Sequence, residues 1–230
     1  MFVGHYGVAL AAKGLQPARS LGGLFVATQL LDVTYAALLL AQVERVSIDP
    51  HGTGPADVEM EFVPLSHGLL GATALAALTY TAVAGGRPRR ARRRGAAALL
   101  GAVLLSHWIL DAVVHDRLPV LDHRLEIGLG LPVVTALLLE TALLVGGLVL
   151  YLRGTRARSR LGRFGVPALV LGLAAFNVYV ATAPTPASVT VLAASNLAAY
   201  AVIAAGAEWL DRQRGPGPRR GTRGIEAATL

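Results

Sequence analysis

The chain has 230 residues, of which 54% are hydrophobic and only 15% charged, with a formal net charge of +7 and no cysteine. Soluble domains carry about 25% charged residues, so this composition, with a mean hydropathy of +0.55, argues against a soluble enzyme. The lack of cysteine excludes disulfides and thiolate metal sites.

The first fifteen residues are apolar but too short to cross a bilayer. They lack the basic start and the small-residue cleavage site of a signal peptide. A helix that ends near Lys13 would reach only the middle of the membrane, where protein must bury its free end. The sequence therefore predicts a short N-terminal half-helix.

Six later runs are apolar and long enough to cross a hydrocarbon core of about 30 Å. We predict an all-α membrane protein in which six transmembrane helices and the half-helix form a single polytopic domain over residues 1–211. The connector 44–64 carries the segments RVSI and VEMEFV, which predict a short strand pair. The six predicted spans are 21–43, 65–85, 96–115, 130–152, 165–183 and 188–210.

Arginines cluster on every second connector, at 87–94, at 153–163 and after residue 211, whereas the other connectors are acidic or neutral. This alternation is the positive-inside pattern. We expect a multi-pass protein of the plasma membrane with both termini in the cytoplasm and the loops 44–64 and 116–129 outside. Residues 212–230, rich in Gly, Pro and Arg, predict a disordered basic cytoplasmic tail. The arginines thus report topology, and we expect the lipid bilayer, not nucleic acid, as partner.

Ionisable groups inside the predicted spans are the strongest indication of function. His107, Asp111 and His115 follow one another at a spacing of four, which places them on one helix face. Each such group costs about 2.5–3.5 kcal/mol in a bilayer on insertion scales, so it is retained mainly where it acts. Counted from the basic connectors at 1.5 Å per residue, polar residues of every span fall roughly 15–27 Å from the inner surface. They are His5, Asp32, His67, His107, Asp111, Glu140, Asn177 and Asn196.

Imidazole and carboxylate are ligands that zinc, iron and manganese accept. We therefore predict that His5, Asp32, His67, His107 and Asp111 meet around one divalent ion, with zinc the first choice and manganese or iron the alternatives. Asp32 and Glu140 are the candidate catalytic carboxylates, acting as general base or by orienting a ligating imidazole.

At several of these positions a purely structural role stays open beside the functional one. Glu140 can instead be a protonated carboxyl paired with a hydroxyl, and Asn177 and Asn196 can be interhelical hydrogen-bonding residues. His115 is a ligand, a supporting residue or an interfacial anchor. We expect Thr28 and Tyr35 to hydrogen-bond Asp32, and the loop histidines His51 and His123 to be solvated.

Four pieces of sequence carry a family resemblance: Gly4-His5, Leu31-Asp32, Ser66-His67 and Ser106-His107-Trp-Ile-Leu-Asp111. This pattern resembles the YdjM-like group of predicted membrane-bound metal-dependent hydrolases over roughly residues 1–115. That group tends to show Pro-Asp-x-Asp where this chain has Gln29-Leu-Leu-Asp32, and a further His where it has Pro64-Leu65. The resemblance therefore implies a metal-dependent hydrolase, and these departures favour one ion over two.

The sequence leaves three candidate functions open. The first is an integral membrane hydrolase that acts on an amphiphilic or lipid-like ester or phosphoester. The second is an ion- or proton-coupled transporter, because intramembrane Asp, Glu and His chains are equally typical of ion paths. The third is a membrane scaffold in which the polar groups only specify packing.

Overall fold

The computed structural model describes residues 3–54, 57–85 and 90–217. Within these ranges the chain forms eight helices and three small two-stranded antiparallel sheets. The helices are α1 (Gly4–Leu15), α2 (Leu21–Thr28), α3 (Leu30–Leu40), α4 (Leu69–Ala84), α5 (Arg90–Val114), α6 (Val133–Gly154), α7 (Arg160–Thr182) and α8 (Val189–Asp211). The sheets pair β1 (Arg45–Ile48) with β2 (Val58–Phe62), β3 (Leu118–Pro119) with β4 (Glu126–Ile127), and β5 (Thr155–Ala157) with β6 (Arg214–Pro216).

Four helices, α5 to α8, are each long and apolar enough to cross a membrane. The predicted span 21–43 is broken at Gln29 into α2 and α3, which meet at 55° and make a fifth span if they are counted together. The predicted span 65–85 forms α4, which has only 16 residues. The all-α membrane architecture and the strand pair within 44–64 are confirmed, whereas a count of six spans is not established.

Helix α1 packs directly against the backbone of α6. Gly7 faces the carbonyl of Leu143 and Gly14 faces that of Leu150, and a Cβ at either glycine would overlap these atoms. Small residues allow this close approach between membrane helices. In both pairs the α6 residue follows the α1 residue by the same number of positions in the sequence. The two helices therefore run in the same direction.

An ionic cluster fixes the far end of α1. Lys13 Nζ lies 2.6 Å from Asp211 Oδ2 at the end of α8, and the Tyr151 hydroxyl donates to Asp211 Oδ1 at 2.9 Å. All three side chains are buried. We call this end of the bundle, where the arginine-containing strands β5 and β6 also pair, the basic end. The short N-terminal helix expected from the sequence is therefore present, and it runs from inside the bundle to the basic end.

The ordered chain continues beyond residue 212, where the sequence predicted a disordered tail. Arg214 is buried; its Nε donates to Thr155 Oγ1 at 2.9 Å and its Nη2 to the Thr155 carbonyl at 3.1 Å. These bonds, with the β5–β6 pairing, explain why this polar segment is held against the end of α6. Residues 218–230, the rest of the predicted tail, lie outside the described residues, as do residues 86–89 of the first basic connector.

At the end of the bundle opposite the basic end, the loops that connect the helices contact one another. His123, which the sequence predicted to be solvated, accepts a hydrogen bond from the Val63 N–H through Nε2 at 3.0 Å. Its Nδ1 lies 2.6 Å from Glu126 Oε1. His51 is exposed, as expected. The pairing through His123 joins the β3–β4 connector to the segment that leads into α4.

Two adjacent glycines of α6 provide a test of the α1–α6 contact. In Gly147→Ala the new Cβ would overlap the backbone of Gly7, whereas in Gly146→Ala it would meet nothing within 4 Å. Overpacking typically costs about 1–3 kcal/mol, so we expect Gly147→Ala to lower the midpoint of thermal unfolding in detergent. Gly146→Ala, the matched control, should leave it unchanged or raise it, since alanine favours helix. Equal midpoints for the two variants would contradict the direct backbone contact.

Candidate metal centre

Four separate parts of the chain bring the predicted ligands together. His5 lies on α1, Asp32 on α3, His67 in the turn before α4, and both His107 and Asp111 on α5. All are buried except Asp32, whose side chain is 13% exposed. Their ligand atoms form two overlapping groups, His5–His107–Asp111 and Asp32–His67–His107, and within each group these atoms lie within 4.8 Å of one another. The structure thus brings the five residues together as two groups that share His107, whereas the prediction had all five around one ion.

Four nitrogen-to-oxygen distances among these side chains lie near the ligand–ligand separation of a metal site. His67 Nε2 lies 3.2 Å from Asp32 Oδ1 and 3.7 Å from Asp111 Oδ2. His107 Nε2 lies 3.5 Å from Asp32 Oδ1 and 3.1 Å from Asp111 Oδ2. Ligands held at 2.0–2.1 Å in a tetrahedron are separated by about 3.3 Å. Either three-residue group, His5–His107–Asp111 or Asp32–His67–His107, is compact enough to hold one ion.

His5 approaches from the other side of Asp111. Its Nε2 lies 3.3 Å from Asp111 Oδ1, and its ring stacks on His107 with centroids 3.7 Å apart. Within the described part of the chain, the Nε2 atoms of His5 and His107 are buried without a hydrogen-bond partner. Buried polar atoms are usually satisfied. Imidazole nitrogens that face carboxylate oxygens at 3.1 and 3.3 Å can share a cation with them, so the residues fit a metal ion.

The break between α2 and α3 orients His107. Its Nδ1 lies 2.6 Å from the carbonyl oxygen of Thr28, the last residue of α2. Because a carbonyl only accepts, Nδ1 carries the hydrogen, and in the neutral ring Nε2 then directs its lone pair toward the two aspartates. The interruption of the helix at Gln29 leaves this carbonyl in position to accept. Such an outer partner is the usual support of a metal-binding histidine.

The support of Asp32 differs from the prediction. The hydroxyl of Tyr200, on α8, donates to Asp32 Oδ2 at 3.1 Å. Thr28 instead donates its hydroxyl to the Phe25 carbonyl, and Tyr35 presents a ring edge to His67. The sequence missed Tyr200 because 168 residues separate it from Asp32.

Glu140 lies on α6 and binds the start of α1. Its Oε2 accepts from the backbone N–H groups of Val3 and Gly4 at 2.9 and 3.1 Å. The first N–H groups of a helix lack partners within the helix, and a carboxylate there also suits the helix dipole. Glu140 thus fixes the residue next to His5. Its contacts give it a positioning role, and its catalytic role stays a prediction.

The remaining predicted polar residues lie outside the two ligand groups. His115 is at the edge: its Nε2 is 4.0 Å from Asp111 Oδ1, and its side chain is 29% exposed. Asn177 on α7 is buried and Asn196 on α8 is half-buried. Trp108 packs in the bundle and donates its Nε1–H to the His67 carbonyl at 2.8 Å.

Comparisons with known proteins give no relative: no family model, no curated protein and no solved structure matches this chain. Any conclusion about function therefore depends on the side chains of this centre.

Removing single ligands tests the centre. We expect protein purified from a metal-replete culture to hold one Zn, Mn or Fe per chain by elemental mass spectrometry, and His67→Ala and His107→Ala to hold less than a tenth of that. His51→Ala, at an exposed loop position, is the matched control and should keep the metal. Equal metal content in wild type and both ligand variants would contradict the site.

Proposed function

We propose that the chain is an integral membrane hydrolase that depends on one divalent metal ion. The observation that carries the proposal is the convergence of five buried or nearly buried ligands from separate parts of the bundle. The resemblance to the YdjM-like predicted hydrolases supports it, since that pattern contains the same five residues: His5, Asp32, His67, His107 and Asp111.

The ligand set indicates which ions suit the centre. Two carboxylates and up to three imidazoles favour zinc, with manganese or iron as alternatives. When bound, such an ion lowers the pKa of a water molecule and polarises the bond to be cleaved. Two aspartates balance the charge of one divalent ion, which favours a single ion in this apolar surrounding.

With the ion held by the group His5–His107–Asp111, Asp32 is left uncoordinated and is the best candidate for the general base. It is the most exposed of the five residues, so a water molecule that enters the centre reaches its carboxylate first. Tyr200 holds one oxygen of Asp32 through the hydroxyl bond, which fixes the direction of the carboxylate. A proton taken from the attacking water can pass to this carboxylate and then to the leaving group. Glu140 contributes by holding the start of α1, and with it His5.

The position of the centre indicates the class of substrate. His107 and Asp111 lie on α5, which is long and apolar enough to cross a membrane, and His5 lies at the start of α1, away from the basic end. By the positive-inside rule, the basic end, where α8 ends, belongs on the cytoplasmic side of the plasma membrane. A substrate that reaches this depth from the bilayer is amphiphilic, such as a lipid-like ester or phosphoester.

The helix break beside the centre also favours a second candidate function, an ion- or proton-coupled transporter. Discontinuous helices line the ion sites of many transporters, because the broken backbone exposes carbonyl groups. Here the break at Gln29 lies next to Thr28, whose carbonyl binds His107, and within one turn of Asp32. For this candidate function, the same five residues form a binding site for the ion on its path across the membrane.

One pair of measurements separates the two functions. We expect zinc-loaded protein in detergent to hydrolyse nitrophenyl esters or phosphoesters, with rates that rise with acyl chain length and fall at least tenfold in His107→Ala and after chelation. Substrates that partition to the apolar surface should react faster, whereas His51→Ala should match wild type. Zinc or proton flux into liposomes, lost in Asp111→Asn and without any hydrolysis, would favour the transporter and contradict the hydrolase.

A further inference from the structure

His67 is the one ligand that lies in a turn and not on a regular helix, so its orientation needs support from elsewhere. That support comes from Glu44, a buried carboxylate 22 residues before Ser66 in the chain. Glu44 Oε1 accepts the backbone N–H groups of Leu65 and Ser66 at 2.9 and 2.8 Å. Its Oε2 accepts the Ser66 hydroxyl at 2.5 Å, and Ser66 Oγ lies 2.9 Å from His67 Nδ1.

The direction of these hydrogen bonds fixes the tautomer of His67. An ionised carboxylate only accepts, so the single hydrogen of the Ser66 hydroxyl is committed to Glu44. Toward His67 the hydroxyl oxygen can then act only as an acceptor, and Nδ1 must carry the hydrogen. In the neutral ring the lone pair is then on Nε2, the atom that lies between Asp32 and Asp111.

The backbone around Glu44 ties this chain of bonds to the helix that carries Asp32. After α3, Gln42 takes a left-handed conformation with φ of 58°, which non-glycine residues seldom adopt. The N–H groups of Val43 and Glu44 then both donate to the Leu38 carbonyl. The reversal turns Glu44 back onto the His67 segment, so one residue joins the end of α3 to the turn before α4.

We propose that Glu44 and Ser66 are positioning residues of the metal centre, acting through His67. Together they hold the His67 ring in the tautomer and direction that a metal ion requires. This inference rests on the proposed metal centre and adds to it a partner for His67 equivalent to the Thr28 carbonyl that serves His107.

A matched pair of serines separates this role from general packing. Ser66 and Ser106 each directly precede a ligand histidine, but Ser106 donates its hydroxyl to the Val103 carbonyl at 2.6 Å. Ser66→Ala removes the bond to His67 and leaves both backbone bonds to Glu44 Oε1 in place. Loss of an outer partner typically lowers metal affinity about 10–100-fold. We expect Zn²⁺ titrations of metal-stripped Ser66→Ala to show this loss of affinity. Ser66→Thr, which keeps the hydroxyl, and Ser106→Ala should bind Zn²⁺ with near wild-type affinity.

Imidazole nitrogen NMR of the metal-free protein supplies a readout that a packing role would not change. We expect His67 to be protonated at Nδ1 in wild type and Ser66→Thr, and to be a mixture of tautomers in Ser66→Ala. If Ser66→Ala does not fold, Glu44→Gln serves, because its amide oxygen can still accept both backbone N–H groups while its NH₂ cannot accept the hydroxyl. Wild-type Zn²⁺ affinity and tautomer in the folded variant would overturn the inference. Failure of wild type to bind Zn²⁺ would instead overturn the metal centre itself.

Discussion

The enclosure of two aspartates within an apolar helical bundle is the constraint on which the other features of this molecule depend. A charge removed from water is costly unless it is paired and hydrogen-bonded. Asp32 and Asp111 each lie within 4 Å of at least two imidazole nitrogens. An imidazole can balance a carboxylate by binding a proton or by sharing a cation with it. A divalent cation satisfies both aspartates and the buried Nε2 lone pairs together, and it is the simplest account of this arrangement.

Several irregular features of the fold follow from the need to hold these groups in place. Helix α1 is short and starts inside the bundle, because its glycines pack on α6 and Glu140 binds its first amides. The break at Gln29 frees a carbonyl for His107. The left-handed turn at Gln42 returns Glu44 to the segment of His67. Each departure from a regular transmembrane helix thus supports a different residue of the centre.

The sequence predicted the ligands better than their supports. Hydrophobic run lengths located α5 to α8, and the helical spacing of His107 and Asp111, with counts of depth from the basic connectors, identified all five residues that meet. The break at Gln29 was missed because neither glycine nor proline marks it. The partners Tyr200 and Glu44 were missed because such contacts join segments distant in sequence, and a hydrophobic pattern carries no information about which segments meet. The bond between Arg214 and Thr155 was missed for the same reason.

X-ray absorption spectroscopy of the purified protein at the edge of its bound metal is the most direct test of this account. We expect about one ion per chain, with nitrogen and oxygen ligands at about 2.0–2.1 Å and the outer-shell scattering that at least two imidazoles produce. A spectrum of oxygen ligands alone, without imidazole scattering, or a preparation without stoichiometric metal, would contradict the claim that these residues form a metal centre.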